Sequence, residues 1–253
     1  MQEETEGYLS LRDTDVLRLI ADSYTMSLDH LATVLGRQAK KETKAQNRLS
    51  LSAVRQIVKD RWIDKYGYVE WGKLLGTTPH WVWPSEKGLR ELNLSKLYDY
   101  QVPSYGALPH LHAINFIRLL VTGNEPEGTW IPERVLKRTE TWDDGRHRPD
   151  AELIHSSGAY TAIEVELADK GYKRVVAILK KLLEVYNDVW YFVSNDAEPA
   201  VTKALDLIRP DYDGLKDEGD QRVLILPLST YHYSPITAVS IYGGMKPAKG
   251  RVI

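Results

Sequence analysis

Residues Tyr160 to Leu167, YTAIEVEL, sort into two interleaved sets: Ile163, Val165 and Leu167 in one, Ala162, Glu164 and Glu166 in the other. A period of two is the mark of a β-strand. It places both glutamates on one face, with their Cα atoms about 6.5 Å apart, the span of two strand rises. The apolar set must then face a helix. The preceding run, DAELI, also reads as a strand, and HSSGA between them has turn chemistry. Antiparallel pairing through that turn can bring Asp150 beside the two glutamates. Beyond the strand, KGYKRVVAILKKLLEVY (Lys170 to Tyr186) is a basic amphipathic helix with Val175, Ile178, Leu179, Leu182 and Tyr186 inward. VWYFVS and RVLILPL read as buried strands, with EPAVTKALDLI as a helix between them. Upstream, HLHAINFIRLLVTG is an amphipathic helix, and WIPERVLKR a short helix or extended turn. Strands interleaved with helices in this order predict an α/β layer with a mixed sheet.

Carboxylates that converge on a sheet repel one another, so they need a cation, a shared proton or a basic neighbour. A divalent ion on Asp150, Glu164 and Glu166 is one solution. Mg²⁺ favours one or two carboxylates completed by water and phosphate oxygens, and Mn²⁺ accepts the same ligands. Such an ion polarises a phosphate and activates water. Two other solutions fit the same pattern. One is a solvated acidic face on an edge strand. The other is a lysine, Lys170 or Lys173, laid against the glutamates as a metal-free ion pair.

The first hundred residues read differently. DTDVLRLIADSY carries a helical stripe capped by Asp13 or Thr14, and Ser27 caps a second helix, LDHLATVLG, that ends at Gly36. In SLSAVRQIVKDRWI, residues Ala53, Val54, Ile57, Val58 and Trp62 form the apolar stripe, which leaves Ser52, Arg55, Gln56 and Lys59 outward. Two β-like runs, KYGYVEW and HWVWP, follow, and Ser85 caps SEKGLREL. Three helices and a hairpin make a winged helix-turn-helix pattern, whose third helix enters the major groove of double-stranded DNA. Between Arg37 and Arg61 stand eight basic residues (Arg37, Lys40, Lys41, Lys44, Arg48, Arg55, Lys59 and Arg61) against Glu42 and Asp60, a net charge of +6. That basic linker suits phosphate contacts, and the outward Arg, Gln and Ser suit base edges. A solvated charged face, or a winged helix used for protein contact, accounts for the same residues.

Composition sets the outer limits. A chain of 253 residues, 43% apolar and 27% charged, has room for two small packed domains. Cysteine is absent, which excludes disulfides, thiolate metal sites and a cysteine nucleophile. The start, MQEETEGYLS, lacks the basic and apolar regions of a secretory signal, and no run of 18 apolar residues exists. These features give the expectation of a cytoplasmic protein without a membrane partner. The net charge of −2 carries no whole-chain preference for nucleic acid, so the basic segment has to supply it.

Taken together, HWVWPSEKGLREL, WIPERVL, RPDAEL, AIEVELADK and VWYFVS resemble the replication-relaxation family of bacterial plasmids and other mobile genetic elements. The resemblance spans about Leu11 to Leu228. It implies a winged helix-turn-helix (residues 1–96), a linker (97–109) and a PD-(D/E)xK nuclease-like domain (110–253) built on a helix, three strands, a helix and a strand. By position, Asp150 matches the PD aspartate and Glu164 the (D/E) residue, while Glu166 stands where lysine is usual. Some restriction endonucleases of that superfamily use glutamate there. Lys170 or Lys173 could bring the ammonium from the next helix, and Glu133 could serve as the additional acid that some members supply. His112 is a weaker candidate.

The expected fold is thus α/β (α+β overall), and the expected function is DNA binding in replication or DNA processing of a mobile element, with metal-dependent nicking as the candidate activity. The rivals are a transcriptional regulator and a scaffold for replication or conjugation proteins, each with an inactive nuclease-like domain. A palindromic target would imply a homodimer. Changing Lys40, Lys41 and Lys44 to alanine is expected to lower the log–log salt slope of duplex binding by up to about 2.7, since each phosphate contact adds about 0.9. Gel shifts over a salt series measure it, and an unaltered slope would place these lysines away from DNA.

Overall fold

The computed structural model describes residues 9–42, 48–72, 80–124, 127–139, 147–211, 222–231 and 233. The chain divides into two compact units, Met1–Leu111 and His112–Ile253.

The first unit opens with α1 (Leu11–Asp22), β1 (Met26–Ser27) and α2 (Leu28–Glu42). Ser10 caps α1, not Asp13 or Thr14: its side chain accepts from the Asp13 backbone N–H at 3.2 Å, and its hydroxyl donates to Asp13 Oδ2 at 2.7 Å. Capping by Ser10 satisfies this first-turn N–H without the Asp13 carboxylate. It frees Asp13 for a second task. Buried at 3% exposure, Asp13 accepts from Trp62 Nε1 at 3.0 Å and pairs with the Arg61 guanidinium. One carboxylate therefore ties the start of α1 to the third helix.

The Ser27 hydroxyl accepts from the His30 N–H at the start of α2, as expected. The helix does not stop at Gly36, however. It runs to Glu42, so the first part of the basic linker is helical. A lone glycine is tolerated where the flanking residues are good helix formers. The segment α3 (Leu51–Gln56), capped by Ser50, continues directly into a π-helical stretch (Ile57–Lys65). Val54, Val58 and Trp62 are fully buried, at intervals of four. Strands β2 (Val69–Gly72) and β3 (Trp81–Pro84) then form the hairpin, and β1 adds to it in the order β1-β3-β2, all antiparallel. Helix α4 (Glu86–Glu91) follows, capped by Ser85. The segment read as a linker is anchored at its start: buried Tyr98 donates its hydroxyl to Asp22 at 2.7 Å, and Tyr100 donates to Glu70 at 2.9 Å.

The second unit holds a five-stranded mixed sheet, with α5 (Leu108–Asn124) leading into it. After β4 (Thr129–Pro132) come α6 (Glu133–Thr139), β5 (Ala151–Ile154), β6 (Tyr160–Glu166), α7 (Tyr172–Leu183), β7 (Asp188–Val193), α8 (Glu198–Ile208) and β8 (Val223–Pro227). The strands lie in sequence order. The β4–β5 and β5–β6 pairs are antiparallel, and β6–β7 and β7–β8 are parallel. Gly158, at φ +84°, makes the tight turn between β5 and β6 that a side chain would strain. On one face Ile163 and Val165 pack with Ala113, Phe116 and Ile117 of α5. On the other, Ala162, Tyr191 and Val193 pack with Val175 and Leu179 of α7 and Val201 and Ala204 of α8. No helix among the described residues is long and apolar enough to cross a membrane.

Gly88 is the tightest backbone approach. A Cβ there would lie 2.0 Å from the Tyr68 carbonyl oxygen, which already accepts the Ser85 N–H at 3.0 Å. Gly88→Ala is expected to destabilise the first unit by at least about 1–3 kcal/mol, the usual range for overpacking. Urea unfolding of the variant measures it.

Candidate functional site

The register of β5 on β6 decides where the acids fall. Glu152 faces Ala162 and Ala151 faces Ile163, so Asp150 stands just past the end of the ladder, one step from Glu164. Its Oδ2 accepts the Val165 backbone N–H at 2.8 Å. The carboxylate thereby carries the pairing one step beyond the last residue of β5. Glu164 and Glu166 share the face of Ala162 by strand period, and that face is covered by α7 and α8. Both are buried, at 8% and 6% exposure, so this is not a solvated edge.

Each glutamate has a basic neighbour. Lys170 Nζ lies 2.9 Å from Glu166 Oε2. His147 Nε2 lies 3.1 Å from Glu164 Oε1, a contact to a carboxylate that calls for the Nε2–H tautomer. Burial holds the His147 imidazole below its ordinary range, helped by Lys181, Lys170 and Arg174 and opposed by Asp150. Lys181, Lys170 and Arg174 thus place positive charge near the His147–Glu164 pair. Lys173 is exposed on α7. Glu133 begins α6 and pairs with Lys137 at 2.8 Å, while its backbone N–H donates to the Asp150 carbonyl. His112 stacks at a tilt on Tyr233 in the layer on the α5 side of the sheet.

Two side chains on the acidic face escaped the sequence reading. Glu152, 8% exposed, lies two residues after Asp150, and the period of two that paired Glu164 with Glu166 applies equally to it. Tyr191 lies beside Glu164 in the parallel register and is 1% exposed. Burial first, then Glu164, Glu166 and Asp150, push its hydroxyl well above the ordinary tyrosine value, so it stays a phenol. Nothing in VWYFVS singles it out from an apolar core strand.

Among the described residues, no three His, Asp or Glu side chains form a ready-made metal cage. Mg²⁺ does not require one, because it binds through one or two carboxylates and keeps several waters. The donor set here is hard oxygen, and the buried Tyr191 hydroxyl has no hydrogen-bond partner. The chemistry fits a hydrated divalent ion on Asp150 and Glu164.

In the first unit, Ser52, Arg55, Gln56 and Lys59 are all exposed. Lys59 Nζ pairs with Asp64 at 2.7 Å, which raises its pKa. Arg48 pairs with Asp29 at the start of α2. Lys40 and Lys41 lie on the last turns of α2, but their side chains, and Lys44 altogether, fall outside the described residues. No protein-family model matches the chain, and no curated protein matches it.

Asp150→Ala leaves the Val165 N–H without its acceptor and is expected to cost about 1–3 kcal/mol of stability. Asp150→Asn keeps a carbonyl acceptor and should cost less. Chemical denaturation of the two variants separates the hydrogen-bonding role of Asp150 from its charge.

Proposed function

We propose that the chain is a DNA-binding protein of a mobile genetic element, acting in its replication or DNA processing, with a first unit that reads duplex DNA and a second that nicks it. The observation that carries the reading is the burial of Glu164 and Glu166 on the central strand, with Asp150 at the open end of the adjoining ladder. Buried carboxylates are rare outside paired or metal-binding settings. The order α5, β4, β5, β6, α7, β7 supports a PD-(D/E)xK core, with α6 inserted. The order α1, β1, α2, α3, β2, β3 supports a winged helix, and with it the likeness to replication-relaxation proteins.

In this reading Asp150 and Glu164 hold Mg²⁺ or Mn²⁺, which when bound supplies Lewis-acid activation of a phosphodiester. Lys170 brings to Glu166 the positive charge that a lysine at that position would otherwise carry. His147 orients Glu164, and Arg174 and Lys181 add positive charge for a phosphate backbone. In the first unit, Ser52, Arg55 and Gln56 face bases, while Lys59 serves the backbone by exchanging Asp64 for phosphate. A second reading, a regulator or scaffold with a silent site, is favoured by one observation: Glu166 is already neutralised by Lys170 without any metal.

A supercoiled-plasmid assay with Mg²⁺ and with Mn²⁺ decides between them. Wild type is expected to produce nicked circles. Glu164→Ala should abolish nicking without changing the gel-shift affinity, and the Arg55, Gln56, Lys59 triple alanine variant should lose binding. Binding without nicking in either metal would leave the silent-site reading standing.

A further inference from the structure

Tyr191 is a polar group in an apolar place. Its ring packs among Ala162, Val175, Leu179 and Val193, between the sheet and α7, where phenylalanine would fill nearly the same space. Its hydroxyl is buried and makes no hydrogen bond. A buried O–H without an acceptor lowers stability, so it normally marks a bound water, a ligand or a functional demand. Glu164 is its direct neighbour in the β6–β7 register, and Asp150, Glu164 and Glu166 are the charges that act on it. Tyrosine carries an O–H donor, so Tyr191 offers one on the side of the sheet where the carboxylates offer only acceptors.

We propose that Tyr191 is a positioning residue of the carboxylate site, its hydroxyl donating a hydrogen bond to a water carried by the divalent cation at Asp150 and Glu164. The proposal rests on the metal-binding reading given above. It explains why a hydroxyl persists where an apolar ring would pack as well. Partners of metal ligands and their waters fix the coordination geometry, and their loss typically weakens metal binding about 10–100-fold.

The test is calorimetry with Mn²⁺ on the full chain with a short duplex present, after subtraction of the heat of Mn²⁺ on duplex alone. Wild type, Tyr191→Phe and Glu164→Gln are compared, with thermal unfolding of each in metal-free buffer. The expected result is loss of the binding heat in Glu164→Gln and about 10–100-fold weaker binding in Tyr191→Phe, whose metal-free Tm is no lower than that of wild type. Unchanged Mn²⁺ affinity in Tyr191→Phe beside a silent Glu164→Gln would overturn the role of Tyr191 and leave the metal site intact. A lowered metal-free Tm with unchanged affinity would make the hydroxyl purely structural, which also overturns it. Identical heats for wild type and Glu164→Gln would overturn the metal reading and this proposal together.

Discussion

Strand β6 is enclosed on both faces, and its inner residues would ordinarily all be apolar. Instead its α7-facing side gives two of its places to carboxylates, Glu164 and Glu166. A carboxylate withdrawn from water must be neutralised or hydrogen-bonded. The local arrangement follows from that demand: Lys170 comes in from the loop before α7, and His147 from the segment before β5. Asp150 closes the ladder by accepting the Val165 N–H. The opposite side of β6 bears no such demand, and there Ile163 and Val165 pack against α5 in the ordinary way. One strand thus separates an apolar layer from one that holds buried charge.

The change of pairing sense gives this strand its reach. β6 runs antiparallel to β5 and parallel to β7. The antiparallel side needs only a short turn, so residues close in sequence, Asp150 and Glu164, come together. The parallel side needs a helical crossover, so α7 is laid across the same face and brings its basic side chains with it. Acids from a hairpin and cations from a crossover helix therefore meet at one place.

How much of this the sequence reveals varies with the physics involved. The β6 alternation, the helix α7 and the buried strands β7 and β8 are all legible, because periodicity records burial directly. The pairing of Asp150 beside Glu164 is legible because a five-residue turn leaves few registers. The end of α2 is not, since Gly36 is a stop signal only when tertiary contacts agree, and β1 is too short to show a period. Aspartate suits a helix cap, so Asp13 looks like one in the sequence, but Ser10 takes that role, and Trp62 and Arg61, 49 and 48 residues away, claim the carboxylate. Tyr191 could not be distinguished from a core aromatic, because its peculiarity lies in what its hydroxyl lacks.

The π-helical stretch from Ile57 to Lys65 has a consequence for how the first unit can evolve. An α-helix turns about 100° with each residue, and a π-helix winds less, so over this stretch side chains four apart fall nearly in line. That is the spacing of Val54, Val58 and Trp62. Deleting a single residue between Val58 and Trp62 would let the backbone relax to ordinary α-helical bonding, because a π-turn is in effect an α-turn with one residue added. Three α-helical steps cover nearly the same rotation as four π-helical ones, so the deletion would leave Trp62 close to its present angle, facing Asp13. Length in this helix is therefore less constrained than its buried stripe: the π-helical stretch can give up one residue, whereas Val54, Val58 and Trp62 fill the core.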